Sequence, residues 1–465
     1  MTKANFPSAL LGTAISTLIF STSAFAETQD VREIQAKALE DNLAFEITEG
    51  LTTEIGPRQG GTEAETRARQ WAVNKLTDLG FGKVRIEQFM MPTWVRGEET
   101  AEIIAPFPQK LAITALGNSG STGANGLEAE VVFFPTVAAL AAVPDGSLNG
   151  KIAFVSHQMR RSQDGSSYGA FGAVRFFGPN IAAQKGASAM VIRSVGTDYR
   201  RNPHTGNTNF SDRVAPIPAA ALSIPDAENL RRMIERSEEP VKMKLVLTPQ
   251  NIGQQESGNV IAEVAGTDPS LSMVLIACHL DSWDLGTGAI DDGAGCGIIT
   301  AAAKLIMESE IKPKRTIRLL WAGAEEVGVW GGKDYAVVHK DTPHALAMES
   351  DFGADRVWRV EFNLPESAKE TQDKIISSLG PLGIGHNPSI VAGGGADVRP
   401  IIGAQNLAII DLQQDGTRYF DLHHTPDDTL DKIDPKQLRQ NVAAWTTVLS
   451  IIANSEIDFT LPPKE

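Results

Sequence analysis

Acidic and imidazole side chains recur in this sequence in groups that could assemble one chemical centre. His279-Leu280-Asp281, Asp291-Asp292, Glu325-Glu326, Glu349-Ser350-Asp351 and His423-His424 each offer one or two groups able to bind a metal ion. Taken singly they are ordinary. An isolated His-x-Asp is most simply a satisfied surface histidine. An Asp-Asp ahead of a helix is most simply an N-cap that also meets the helix dipole, and a Glu-Glu a solvated pair. Together they make a different case. Several carboxylates converging on one cleft would repel one another and raise one another's pKa values. A divalent cation removes that penalty. Carboxylates mixed with imidazoles suit zinc or a related first-row metal, and cysteine ligation is not indicated.

The surrounding elements are placed to bring these groups together. From Asn259 onward, strand-like and helix-like segments alternate. The strands are Asn259–Val264, Met273–Cys278, Thr316–Trp321, Ala345–Met348 and Leu407–Asp411, and the helices Gly293–Met307, Gly332–His339, Lys369–Leu379 and Lys436–Ile452. That alternation predicts an α/β fold with a sheet covered on both faces. Ligands in such folds bind beyond the carboxyl ends of the strands, where the acidic and histidine residues fall. Upstream, Arg32–Glu46 and Glu63–Leu79 carry helical periodicity, broken by Pro57-Arg58-Gln59-Gly60-Gly61, and Val84–Phe89 alternates like a strand. Residues 120–250 differ in texture. Short β-type runs (Ala129–Phe134, Lys151–Ser156, Ala189–Arg193, Lys242–Leu247) and helical runs (Ile181–Gly186, Ala227–Ser237) are heavily punctuated by Gly and Pro, and Arg200–Arg213 reads as an exposed loop. This stretch is expected to be a module inserted into the main domain.

The strings Ala277-Cys278-His279-Leu280-Asp281-Ser282-Trp283-Asp284, Gly288-Ala289-Ile290-Asp291-Asp292-Gly293-Ala294-Gly295 and Trp321-Ala322-Gly323-Ala324-Glu325-Glu326-Val327-Gly328 resemble the co-catalytic zinc exopeptidases. Met348-Glu349-Ser350-Asp351 and Phe420-Asp421-Leu422-His423-His424-Thr425-Pro426-Asp427-Asp428-Thr429 are most similar to that family's carboxypeptidase Q branch. The resemblance covers nearly the whole chain after residue 26 and is most specific from about 258 to 455. It implies a mixed central sheet flanked by helices over 27–119 and 251–465, with 120–250 as an inserted protease-associated-like domain.

It also implies two zinc ions. His279 would bind one of them, Asp291 would bridge both, Glu326 and Asp351 would bind on opposite sides, and His424 would complete the set. His424 is preferred to His423 because the family's ligand histidine stands four positions before the acidic residue of an Asp/Glu-Thr pair, here Asp428-Thr429. Asp281 would orient the His279 imidazole, and Glu325 would act as general base. His423, beside the ligand, would donate to the oxyanion. The implied reaction is hydrolysis of dipeptides or short peptides with release of the N-terminal residue, driven by a water or hydroxide shared between metals about 3.5–4 Å apart. Two other readings share parts of the pattern: a receptor-like binding protein of the same fold without a competent metal site, and glutaminyl cyclase. Asp397, in Gly393-Gly394-Gly395-Ala396-Asp397, and Pro203-His204-Thr205-Gly206 are weaker candidates. For these, an ordinary turn and a solvated loop are the simpler readings.

The remaining features bound the function. The net charge of −15 argues against nucleic acid. Lys3, the apolar run Leu10–Phe20 and Ala24-Phe25-Ala26 read as a signal peptide cleaved near Ala26. That run is shorter than the ~20 residues a membrane span needs. The expected location is therefore secreted or periplasmic, without a stable membrane span. Related enzymes often dimerise, so the resemblance allows a homodimer. The two cysteines, Cys278 and Cys296, exclude a disulfide framework. They are read as two small buried hydrophobes, with a single bridge left open.

Overall fold

A computed structural model of the chain describes residues 30–463. The segment read as a signal peptide lies outside them. The expected α/β architecture is present as two eight-stranded sheets. In spatial order the first sheet contains Gly82–Val95, Gln250–Val264, Ile317–Ala322, Met273–His279, His344–Glu349, Ala408–Gln414, Val357–Asn363 and Gly385–Val391. Its central strands Ile317–Ala322, Met273–His279, His344–Glu349 and Ala408–Gln414 run parallel. They read as mostly apolar runs because both faces are covered. Helices Leu43–Gly50, Ala294–Glu308 and Pro435–Ile452 contribute to the core on one face. Tyr335, Ile401 and Ile402, from Trp330–Val338 and Arg399–Gln405, pack on the other.

The second sheet is ordered Gln109–Leu111, Glu99–Ala105, Lys242–Leu247, Leu127–Phe134, Ile152–Val155, Ala189–Arg193, Ala219–Leu222 and Ile113–Ala115. Its strands begin at Glu99, ahead of the 120–250 stretch. Trp94, Trp283, Ala324 and Val327 from the first unit are buried in the same cluster as Val191, Leu222 and Met243 of the second. Apolar packing thus joins the two sheets beside the Glu325-Glu326 turn.

Two sequence expectations change. Arg32–Glu46 is not one helix: residues 30–38 and Leu43–Gly50 are helical, with a break between them. Asp41 accepts from Leu43 N at 2.8 Å, so a polar side chain competes with the helix for a backbone donor and starts a new one. Cys278 and Cys296 are not free hydrophobes. They form a disulfide, both fully buried, across a sequence separation of 18. The bridge ties the end of Met273–His279 to the first turn of Ala294–Glu308.

Candidate metal centre

His279 is the last residue of the central strand Met273–His279, and Asp291 lies in the loop leading into the helix Ala294–Glu308. That loop is fixed from several sides. The buried Arg58 guanidinium donates to Thr287 O at 2.7 Å and Gly288 O at 2.8 Å. Asp428 accepts from Ile290 N at 2.6 Å. Asp292 accepts from His279 N and Gly295 N, each at 3.1 Å. A Cβ at Gly295 would lie 2.1 Å from Ser350 O and 2.2 Å from Asp292 Oδ1, so only glycine admits this approach.

Five separate segments meet around Asp291. Its Oδ1 is 2.9 Å from His279 Nε2, which is also 3.4 Å from Asp351 Oδ1. Its Oδ2 is 3.1 Å from His424 Nε2, which is also 2.9 Å from Glu326 Oε2. One carboxylate thus faces two imidazoles, each with a second carboxylate of its own. Asp281 reaches in two directions, to His279 and to the Glu325-Glu326 turn. Its main-chain oxygen lies 3.0 Å from His279 Nδ1, and its carboxylate accepts from Glu325 N at 2.9 Å and Glu326 N at 3.3 Å. It therefore steadies the Glu325-Glu326 turn as well as the imidazole.

The backbone is unusual at this site. Ala324 (φ 55°), Val329 (φ 57°) and His424 (φ 58°) are non-glycine residues in the left-handed region. Such conformations cost energy and persist where the surroundings enforce them.

Electrostatics favour a cation. Burial, followed by repulsion from Asp291, pushes the Glu326 carboxyl up to about 7. Burial also raises Asp351 and Glu325. Burial opposes a charged imidazole at His424, yet Glu326 and Asp291 outweigh it and lift its pKa to about 9. At His279 burial is likewise outweighed, by Asp351, Asp281 and Asp291. Glu326 Oε1 is buried without a hydrogen-bond partner. The donor set also fits zinc sterically. Ligands at about 2.0–2.1 Å in tetrahedral array stand about 3.3 Å apart, and the four donor separations around Asp291 span 2.9–3.4 Å.

Apart from the weak candidate Pro203-His204-Thr205-Gly206, sequence reasoning missed the groups that come from the second sheet's unit. Tyr168, Arg175, Phe176 and Asn207 line a cleft of about 390 Å³ together with Asp291, Glu325, Glu326, Asp351, His423 and His424. Arg175 Nη1 lies 3.1 Å from both Thr205 O and His424 Nδ1, and its Nη2 donates to Tyr168 OH. His204 and Thr205 are not on a solvated loop. They are buried, with His204 Nε2 at 3.4 Å from His423 Nδ1 and Thr205 O at 3.4 Å from His424 Nδ1. Gly206 allows this packing: a Cβ there would lie 2.2 Å from Arg175 Nη1. Asp397 is not in an ordinary exposed turn either. It is fully buried, both carboxylate oxygens lack a hydrogen-bond partner, and burial and Glu349 raise its pKa.

Comparison with known proteins gives the family of the chain. The model of Peptidase family M28 matches residues 259–449. Carboxypeptidase Q of Bos taurus is 34% identical over 420 residues, spanning 89% of this chain and 86% of that protein. Carboxypeptidase Q of Homo sapiens is 33% identical over 419 residues, with the same coverage of 89% and 86%. A peptidase M28 precursor from Shewanella amazonensis SB2B has a solved structure with a TM-score of 0.91 at 43% identity, covering 94% of this chain and 99% of that one. BSAP, a zinc aminopeptidase from Bacillus subtilis, shares the fold, with a TM-score of 0.64 at 20% identity over 91% of this chain and 98% of its own. The chain belongs to peptidase family M28 and is a metallo-exopeptidase.

Proposed function

We propose that this protein is a dinuclear zinc exopeptidase that cleaves dipeptides or short peptides and releases their N-terminal residue. The observation carrying the proposal is the Asp291 carboxylate set between His279 and His424, each imidazole also facing its own second carboxylate. His279 and Asp351 would hold one zinc, His424 and Glu326 the other, with Asp291 shared. Bound there, the ions would polarise the scissile carbonyl and lower the pKa of a water. Glu325, part-exposed on the cleft wall, would accept that water's proton and return it to the leaving amine. His423 would donate a hydrogen bond to the oxyanion as the carbonyl becomes tetrahedral. Tyr168, Phe352 and Phe420 would give the substrate side chain an aromatic wall.

We read the second sheet's unit, strands Glu99 to Leu247, as the inserted module, somewhat wider than residues 120–250. Its role would be to close the cleft with Tyr168, Arg175 and His204. We place the enzyme outside the cytoplasm, because a buried disulfide fits an oxidising compartment. Among the described residues no helix is long and apolar enough to cross a membrane.

A dipeptide panel with free and blocked ends tests the proposal. Hydrolysis that requires a free amino terminus is the expected result. Cleavage of dipeptides acetylated at the amino terminus, with equal efficiency, would contradict the proposed polarity.

A further inference from the structure

A dipeptide carries a carboxylate into a cleft already lined by Asp291, Glu325, Glu326 and Asp351. Two dications would balance those four charges, so a protein cation aimed at the substrate's carboxylate would favour its binding at that end. Only two arginines line the cleft among the described residues, Arg175 and Arg399. Arg175 already donates to Thr205 O and Tyr168 OH. Arg399 is different. It is exposed, and its Nη2 donates to Gly394 O at 3.1 Å. Among the described residues no carboxylate lies within ion-pair distance of it. Asp411, whose carboxyl pKa burial raises and the Arg399 charge helps to lower, accepts instead from Gly393 N at 2.9 Å and Gly394 N at 3.1 Å.

The segment that carries Arg399 is held firmly. Asp411 grips one end of the Gly-rich loop, and Glu349 Oε2 accepts from Val398 N at 2.8 Å at the other. Gly395 packs so closely on Glu349 that a Cβ would lie 2.2 Å from its Cδ. A guanidinium on an anchored loop, with donors unspent, can take a carboxylate in two parallel hydrogen bonds.

We propose that Arg399 binds the α-carboxylate at the substrate's C-terminus and so selects peptides short enough to reach it from the metal centre. The assignment rests on the exopeptidase reading above. It makes Arg399 a specificity residue: it acts on substrate binding and leaves the bond-breaking step alone.

The test compares Ala-Leu with Ala-Leu amide as substrates for the zinc-loaded enzyme and for Arg399→Gln and Arg399→Lys. The wild type should favour the free acid. In Arg399→Gln, KM for Ala-Leu should rise about tenfold or more, the loss expected for a hydrogen bond to a charged group. Its kcat should be little changed, the amide should be hydrolysed as before, and Arg399→Lys should recover part of the loss. Equal effects on acid and amide, or none on the acid, would overturn the assignment while leaving the exopeptidase reading intact. A wild type inactive on both compounds would overturn that reading and this assignment with it.

Discussion

His204 Nε2 lies 3.4 Å from His423 Nδ1, so a residue of the second sheet's unit touches the neighbour of the candidate metal ligand His424. Burial and the adjoining imidazoles lower both pKa values, which keeps both rings neutral. If His423 donates from Nε2, its Nδ1 must accept, and His204 is the donor that fixes this tautomer. His204 Nδ1 is then a buried acceptor without a partner, as observed.

His423→Ala should lower kcat about 10²-fold or more, the cost of one oxyanion donor, with zinc content unchanged. His204→Ala should lower kcat in the same direction with little change in KM. His204→Gln, whose amide can still donate to His423, should recover part of the rate. Metal analysis alongside steady-state kinetics checks this; zinc loss in His423→Ala would exclude the donor role.

Glu325→Gln should retain both metals and lose activity by about 10²–10⁴-fold, the usual worth of a positioned general base. An active Glu325→Gln enzyme would assign proton transfer to another group.

The Cys278–Cys296 bridge closes the stretch that holds His279, Asp281, Asp291 and Asp292. Replacing both cysteines by serine should destabilise the protein by about 3 kcal/mol, as expected for a loop of this length. It should also weaken zinc retention, because His279 follows Cys278 directly. Thermal melts and zinc release to a chelator report the two effects separately. Unchanged zinc release would confine the bridge to a stabilising role.

Much of this cluster was legible in sequence because its candidate ligands follow strands. His279 ends one strand, and Glu325-Glu326 and Glu349-Asp351 fall at or just beyond the ends of two others. Mostly apolar runs such as Thr316–Trp321, in which Arg318 is the one charge, mark a strand buried on both faces. Arg175 gave no such signal, and His204 only the weak one of Pro203-His204-Thr205-Gly206. They meet His423 and His424 from more than 200 positions away in sequence, through tertiary packing that no local pattern encodes. The strand Val357–Asn363 was also missed, since Trp358, Arg359 and Glu361 interrupt its apolar character. Glu361 is nevertheless buried and paired with Arg359, a contact that residue type alone does not announce. The disulfide was left open because bridging depends on where two distant Cα atoms lie.

His344 supplies a pH dependence away from the metal centre. Burial lowers its pKa from 6.5 to about 4, and its ring nitrogens meet Tyr335 OH at 2.8 Å and Gln405 Oε1 at 3.1 Å. Between those pH values the unfolded chain binds more protons than the folded one, so stability falls as pH falls through that window. The full effect is about 3 kcal/mol, of which about 2 kcal/mol should be lost by pH 5. Chemical denaturation at pH 7.5 and pH 5 should show a smaller acid loss in His344→Gln than in the wild type. Equal losses would show that His344 does not titrate in this way.

The most direct measurement is zinc per chain, by elemental analysis, in the purified protein and in Asp291→Ala. A carboxylate shared between two metals predicts two zinc ions in the wild type and near-complete loss of both in the variant. One zinc in the wild type, or two retained without Asp291, would contradict the dinuclear centre.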